Sequence, residues 1–287
     1  MSDAAGHERV ELVANVFERT YRSALAPGSF ARIEADHRRR FDRKVALINN
    51  VADRDDAARR AQRLASAGEI DAFHFVADRL ESTLETVGLT RSELEPLIHY
   101  SDFALTALTL PGCPWLLYWD PEARLSAPVD WVGPAIALMR SDRRIIAANP
   151  SWELPGPDGG RPAVEREATE ASEGFAIGPG FSDQVFLVRR AELSAPIYGQ
   201  RCLSRLLYPG AHKAHVFEAR VQAHMRHHDR MRATALDATY LISGPGGTST
   251  YPPDGVRETL RYLRNGLLVR ALRASPWRPR CARNTWL

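Results

Sequence analysis

Lysine and cysteine are scarce in this 287-residue chain, and both shortages limit what the protein can be. Lys44 and Lys213 are the only lysines, so the many arginines reflect a composition bias more than a nucleic-acid partner. The formal net charge of +3 is also too small to indicate nucleic-acid binding. The three cysteines are odd in number and lack metal-site spacing, which favours a reducing compartment without a disulfide framework. We therefore expect a cytoplasmic protein without a nucleic-acid partner.

Long apolar runs and several well-known site motifs are also absent. No run approaches the ~18 apolar residues that span a bilayer, and residues 1–11 are polar, unlike a signal peptide. No G-x-G-x-x-G follows an early strand, and there is no Walker-type glycine–lysine–serine run, which disfavours a nicotinamide cofactor and a P-loop. No G-x-S-x-G elbow occurs, which argues against an α/β-hydrolase.

What the sequence does contain is an alternation of strand-like and helix-like segments. The predicted strands are 16–21, 44–51, 71–78, 115–119, 144–148 and 181–190. The predicted helices are 30–40, 53–67, 90–100, 103–110, 130–139 and 216–230. Strands that alternate with helices of ten or more residues indicate βαβ units, so we predict an α/β protein with a mostly parallel central sheet flanked by helices.

The most informative stretch runs from Trp115 to Leu125. Its first five residues, 115–119, are all apolar or aromatic and suit a strand buried on both faces. Pro121 cannot extend a central strand. Asp120 and Glu122 then lie just outside a strand's carboxyl end, where open α/β sheets bind ligands. Two such carboxylates can share a hard divalent cation that also holds a diphosphate. An ordinary acidic turn explains the same residues equally well.

Polar residues also follow the other early strands. Asn49, Asp53 and Asp78 each come at or after a predicted strand end, and so would face the same crevice as Asp120. Strand-end capping is an equally good explanation for Asn49 and Asp78. Asp102 is a candidate for the same crevice or an N-cap of the helix that begins at Phe103.

The order and spacing of these motifs resemble those of nucleotide-sugar-dependent glycosyltransferases of the GT-A fold, nearest to the family-2 type. The resemblance covers roughly residues 16–243. The segments that carry it are 47–51, Asp78, Asp102, 118–122, 186–190, Phe217-Glu218 and Arg226.

The resemblance implies a GT-A (Rossmann-like) single domain at residues 10–243. Its donor-binding half would span about 10–125 and its acceptor-binding half about 126–243. The donor would be a nucleoside diphosphate sugar, with a UDP-sugar favoured, and Mn²⁺ or Mg²⁺ would be held by Asp120 and Glu122. A hexose or aminosugar would pass to a hydroxyl or amine of a small-molecule or glycan acceptor. The residues implied near the nucleotide are Asn49, Asn50, Asp53, Asp78, Asp102 and Trp119.

In inverting members of that family, a carboxylate in the second half acts as general base. Glu218, with Arg226 two turns later, matches that position best, and Asp183 is the second candidate. The family usually has two adjacent acids, whereas Ala219 follows Glu218 here. Glu218 also suits a first-turn carboxylate that stabilises the helix dipole. The family often supplies a further histidine ligand, and residues 239–243 contain none.

Two other functions remain open from the sequence. A sugar-nucleotidyltransferase would share the nucleotide-binding sheet, although its usual glycine-rich phosphate loop is absent. A catalytically inactive nucleotide-sugar-binding partner protein is the second, because of the missing histidine and the single acid at Glu218. The histidines between 212 and 228 include an i, i+4 pair, His224 and His228, but a dedicated zinc site lacks its third ligand.

Three segments remain outside this assignment. We predict that residues 152–176, rich in Pro, Gly and Glu, form a mobile loop that closes over the donor. Residues 244–287 would form a linker and a basic amphipathic C-terminal helix. We expect the apolar stripe of that helix to dock on its own domain or on a second subunit in a homodimer; contact with an anionic membrane is the less favoured alternative.

Overall fold

The computed structural model describes residues 8–152, 168–207, 210–242 and 252–274, with side chains left out at 204, 207 and 272–274. The described elements form one sheet with helices packed on it. Most of the predicted mobile loop at 152–176 lies outside these residues, as does the predicted linker at 244–250.

The elements of the first half alternate between strands and helices. The strands are β1 (Val10–Phe17), β2 (Arg43–Asn49), β3 (Ala72–Phe75), β4 (Trp115–Trp119) and β5 (Ala123–Leu125). The helices are α1 (Tyr21–Ala24), α2 (Ser29–Asp36), α3 (Arg54–Ser66), α4 (Val76–Val87), α5 (Arg91–Leu94) and α6 (Asp102–Thr109), with a 3₁₀ turn at Ile98–Tyr100.

The second half contains more strands than helices. The strands are β6 (Ile145–Trp152), β7 (Glu170–Ser172), β8 (Phe175–Gly178), β9 (Val185–Arg189) and β10 (Met231–Ile242). The helices are α7 (Val132–Ser141), α8 (Arg190–Leu193), α9 (Phe217–His227) and α10 (Gly255–Ala274), with a 3₁₀ turn at Leu203–Leu207.

The strands join in one sheet in the order β3-β2-β1-β4-β9-β6-β10-β8-β7, with β5 paired to β10. The first four strands along this order are parallel, as predicted. Strand β9 then runs antiparallel to both β4 and β6, while β6 and β10 are parallel. The α/β fold class is confirmed, with its parallel part concentrated in the first half.

Several element boundaries differ from the sequence-based prediction. Strand β3 stops at Phe75, and α4 begins at Val76, so Asp78 lies in the first turn of a helix and not at a strand end. The predicted helix over 90–100 is broken at the Glu95–Pro96 bond into α5 and the 3₁₀ turn. The end of the predicted mobile loop forms the β7–β8 hairpin.

The core covers both faces of the sheet, and all five residues of β4 are buried as a result. Trp115, Leu117 and Trp119 face one layer, while Leu116 and Tyr118 face the other. Burial of whole side chains of this size contributes roughly 1.5–3 kcal/mol each to folding, so β4 contributes strongly to the stability of the fold.

A buried ion pair joins the two halves at the amino end of β1. Glu11 is fully buried and pairs with Arg190, the first residue of α8, and with Arg43 at 2.6 Å. The Arg190 guanidinium also donates to the carbonyls of Ala107, Leu108, Leu110 and Cys113. Gly112 is required here, because a Cβ would lie 1.7 Å from Glu11 Oε2.

Helix α10 docks by one face only. Asn265 is buried, Arg261 donates to the carbonyl of His212 at 2.9 Å, and Tyr262 packs against the His212 ring. Lys213 pairs with Glu258 at 3.3 Å. No described helix is long and apolar enough to cross a membrane.

Candidate active site

The candidate site lies where β4 ends and β9 begins. Strands β1, β2, β4 and β6 point the same way, and we call the edge where they end the carboxyl edge. Because β9 runs the opposite way, Trp119 at the end of β4 pairs with Val185 at the start of β9. The Asp120 N–H therefore donates to the carbonyl of Gln184 at 2.9 Å, which places Asp183 next to the Asp120 turn.

Asp120 and Glu122 share a tight turn. The Asp120 carboxylate accepts the N–H of Glu122 at 2.8 Å, and its carbonyl accepts the N–H of Ala123 at 2.9 Å. This geometry follows from an Asp–Pro sequence, since Asp side chains accept from the backbone two residues later. The turn fixes both carboxylates at the carboxyl edge.

The pKa of the Asp120 carboxyl lies close to neutral pH. Burial is the main reason that the pKa of Asp120 rises to about 7, and the negative charges of Glu122 and Asp183 add to it. The hydrogen bond from the Glu122 N–H and the charge of Arg19 act in the opposite direction. A positive charge close to Asp120 and Glu122 would therefore be stabilised by both groups.

Arg19 is a site residue that sequence reasoning missed. It lies two residues after the end of β1, and its Nη2 contacts Glu122 Oε2 at 3.0 Å. The Arg19 side chain is 56% exposed, so solvent screens this contact. The strand-end rule did not point to Arg19, because the first strand was predicted over 16–21, whereas β1 ends at Phe17.

A second carboxylate pair faces the first. Burial and the charge of Asp183 raise the pKa of Glu218 well above its usual range, while Arg232 lowers it. Burial also raises the pKa of Asp183. The charge on Asp183 therefore opposes ionisation of Glu218. Arg232 and Tyr240 both lie on β10, which was not predicted as a strand.

Tyr118 marks the centre of this group of carboxylates. Its ring stacks between those of Phe103 and Phe186, at centroid distances of 5.5 and 4.8 Å. Burial, followed by the charges of Asp120, Asp183 and Asp102, raises the pKa of Tyr118 well above its usual value. Carboxylates from three different parts of the chain therefore surround one buried hydroxyl.

Two helix N-termini meet beside this group. Phe217 is the first residue of α9, and its N–H donates to Ser101 Oγ at 2.9 Å. Ser101 is the residue directly before α6. Asp102 and Glu218 consequently lie at neighbouring helix starts. Asn49 donates to Asp102 at 3.0 Å, and burial raises the pKa of Asp102 to about 6. The N-cap of α6 is Ser101, so Asp102 is a buried partner of Asn49 and not the cap itself.

The other residues predicted near a nucleotide are placed less uniformly. Asp53 is exposed and caps α3 by accepting the Asp56 N–H at 2.9 Å, while Asn50 is exposed with φ 47°. Asp78 is exposed and holds Arg54 at 2.8 Å. Trp119 is 1% exposed and packs edge-on against His37 at 4.5 Å, so its ring lies in the core on the face away from Tyr118.

Two residues of the chain suit a divalent cation at this site. Within the described residues, no group of three His, Cys, Asp or Glu side chains is arranged to hold a metal. The Asp120–Glu122 pair nevertheless offers hard oxygen donors whose mutual repulsion a cation would relieve. Mg²⁺ commonly binds through one or two carboxylates plus substrate phosphates, so a pair fits a cation that arrives with a diphosphate.

The histidines are not a better metal site. The rings of His224 and His228 lie 4.6 Å apart on α9, but His228 contacts Gln200 at 2.8 Å and no third ligand among the described residues completes the set. Burial lowers the pKa of His224 to about 4, and the charges of His228 and Arg230 add to this.

Comparisons with known proteins give structural matches but no sequence match. No family model matches the chain, and no curated protein does either. GalNAc-T7 with UDP, GalNAc and Mn²⁺ matches with a TM-score of 0.48 and 12% identity, over 91% of this chain and 48% of that one. The mannosyltransferase PcManGT of Pyrobaculum calidifontis, with GDP-Man and Mn²⁺, matches with a TM-score of 0.48 and 14% identity, over 96% of this chain and 68% of that one.

The bifunctional glycosyltransferase WbbM matches with a TM-score of 0.34 and 14% identity, over 67% of this chain and 33% of that one. This chain thus spans about half the length of GalNAc-T7 and a third of WbbM. All three proteins are glycosyltransferases. Because the TM-scores are below 0.5, the similarity is limited to the general fold. The chemistry of the site has to be argued from this chain's own residues.

Proposed function

We propose that this chain is a metal-dependent glycosyltransferase. It would transfer a hexose or aminosugar from a nucleoside diphosphate sugar, with a UDP-sugar favoured, to a hydroxyl or amine of a small-molecule or glycan acceptor. The observation that carries the proposal is the meeting of two carboxylate pairs at the junction of β4 and β9. One pair suits a cation and a diphosphate, and the other suits proton transfer.

The donor side would be built on Asp120 and Glu122. A divalent cation held there stabilises the negative charge that a diphosphate leaving group gains as the glycosidic bond breaks. Arg19 already neutralises Glu122, but its contact is exposed and screened, so it can turn from Glu122 to a phosphate oxygen. Asn49 and Asp102 lie at the same edge and would contact the nucleotide, with Asn50, Asp53 and Asp78 farther out.

The acceptor side would be built on Asp183 and Glu218. Burial and then the charge of Asp183 raise the pKa of Glu218, so the environment favours the protonated form of Glu218. The pair as a unit would accept the proton of the acceptor hydroxyl as it attacks. Two carboxylates that influence each other electrostatically would take the place of the adjacent acids that the family usually has, which supports an active enzyme over an inactive binding protein.

Nucleotide binding tests the donor side. Thermal unfolding would be measured with UDP, GDP, CDP and ADP, each with and without Mn²⁺, for the parent and for Asp120→Asn. A ligand at a hundred times its Kd stabilises the folded state by ~2.7 kcal/mol. We expect one nucleotide to give such a shift with Mn²⁺ in the parent, and a much smaller shift in Asp120→Asn.

Asp142→Asn is the matched control, because Asp142 precedes β6 at the opposite edge of the sheet and pairs with Arg144 at 2.7 Å. It should respond like the parent. No Mn²⁺-dependent shift with any nucleotide, or an equal shift in Asp120→Asn, would show that the proposed function is wrong. Release of nucleoside diphosphate from the donor sugar that binds, dependent on Mn²⁺ and lost in Asp120→Asn, would separate an enzyme from a binding protein.

A further inference from the structure

The outward face of α10 carries a continuous apolar stripe. At 100° per residue, Val256, Leu260, Leu263 and Leu267 lie within about 60° of one another, directly opposite the buried Asn265. Their exposed fractions are 78%, 62%, 55% and 65%. The expectation that this stripe docks on its own domain is therefore wrong, because the domain holds the opposite face of the helix.

The charges around the stripe have one sign. Arg257 and Arg264 flank it on one side and Arg270 on the other, at the positions that α10 geometry gives them. The acid of this helix, Glu258, is turned towards the domain and pairs with Lys213. From residue 259 to residue 287 the sequence contains seven arginines, two tryptophans and no acidic residue.

A dense arginine cluster borders the same flank. Arg205 lies on the 3₁₀ turn at Leu203–Leu207, against which α10 packs, and burial and the charges of Arg201, Arg264 and Arg261 lower its pKa. Crowded like charges are relieved by an anion, and guanidinium groups bind phosphate oxygens bidentately. The cluster and the stripe together present apolar side chains beside phosphate-binding groups.

We propose that α10 is an interfacial helix that binds the surface of an anionic lipid bilayer, with the leucine stripe in the acyl boundary and the arginines on lipid phosphates. Helices of this composition lie in the plane of a membrane surface, and their binding combines apolar area with attraction to anionic lipids. This inference goes beyond the proposed function and does not depend on it.

A second copy of the chain fits this face less well. A two-fold dimer through the stripe would bring each arginine flank against an identical flank. The exposed side of α10 offers no acid to compensate, so the like charges would oppose association.

Vesicle co-sedimentation of the full-length chain tests the proposal. Vesicles of phosphatidylcholine alone would be compared with vesicles that also contain phosphatidylglycerol, at low and high salt. We expect the parent to sediment with the anionic vesicles at low salt and to be released by high salt. Leu263→Glu combined with Leu267→Glu should weaken partitioning by more than about tenfold. Arg264→Gln and Arg270→Gln should each weaken it about fivefold.

Leu236→Glu is the control variant, because Leu236 is a 37% exposed leucine that lies on β10 and not on α10. It should sediment like the parent. Since all these positions are exposed, unfolding curves should stay close to those of the parent. The proposal is wrong if the parent does not bind anionic vesicles, or if the variant with both Leu263→Glu and Leu267→Glu binds them as tightly as the parent does. It is also wrong if light scattering finds a dimer that the same variant dissociates, because the stripe would then bind a second copy.

Discussion

Binding of the donor and its cation should depend on pH through Asp120. The pKa of Asp120 is raised to about 7, chiefly by burial, so the folded chain retains this proton where most aspartates have lost it. A cation binds only the carboxylate form. With that pKa, about one tenth of the Asp120 side chains are ionised at pH 6 and about nine tenths at pH 8. The apparent Kd should therefore fall about tenfold between pH 6 and pH 8.

Calorimetry measures this effect directly. A nucleoside diphosphate sugar would be titrated into the chain with Mn²⁺ present, because its esterified diphosphate does not titrate in this range. In buffers of different ionisation enthalpy, binding at pH 7 should release about half a proton. Asp142→Asn should behave like the parent. An affinity that is constant from pH 6 to pH 8 in the parent, or no proton release, would refute Asp120 as a ligand.

The same raised pKa has a consequence for stability without cation. Because the folded state binds the Asp120 proton more tightly than the unfolded state, stability from this group is present at low pH and is lost as pH rises from about 4 to about 7. Asp120→Asn stays neutral, so it should be more stable than the parent at pH 8 and show a weaker decline. The difference is about 4 kcal/mol at most. Added Mn²⁺ with donor should reverse the order.

Three further outcomes are expected. Glu218→Gln and Asp183→Asn should each leave donor binding intact and lower transfer by about 10²–10⁴, and full activity in both variants would contradict a carboxylate base. Arg190→Met should lower the free energy of unfolding by up to about 3–5 kcal/mol in urea titrations, because buried Glu11 is left with Arg43 as its remaining ion-pair partner, and adding Glu11→Leu should restore part of it. Asp53→Ala should cost about 1 kcal/mol through loss of the α3 cap, and an unchanged donor affinity would show that Asp53 does not contact the nucleotide.

The proposed donor side of the site is the part most open to prediction. A run of five apolar residues followed by Asp-Pro defines a buried strand and its end by local chemistry alone. The rule that parallel strands end at one edge then brings Asn49 and Asp120 together. Trp119 was misplaced because a strand buried on both faces has no polar side, so the sequence does not show which face a ring takes.

The proposed acceptor side cannot be derived in the same way. Asp183 reaches Asp120 only because β9 runs antiparallel between β4 and β6, and an apolar strand carries no signal of its direction. Asp78 was misplaced since α4 follows β3 without a turn and without a polar cap, its N-cap being Phe75. The exposed stripe of α10 was visible as a pattern, but which face the domain would cover depends on His212, which is 53 residues away from Asn265.

The buried contact between Glu11 and Arg190 restricts how this protein can move. It joins the first strand of the chain to the start of α8, and four carbonyls around the end of α6 hold the same guanidinium. A hinge between the parallel and the mixed parts of the sheet would have to break this contact in an apolar interior. This contact therefore opposes rigid-body separation of the two parts, and we expect conformational change to be concentrated in the loops at the carboxyl edge.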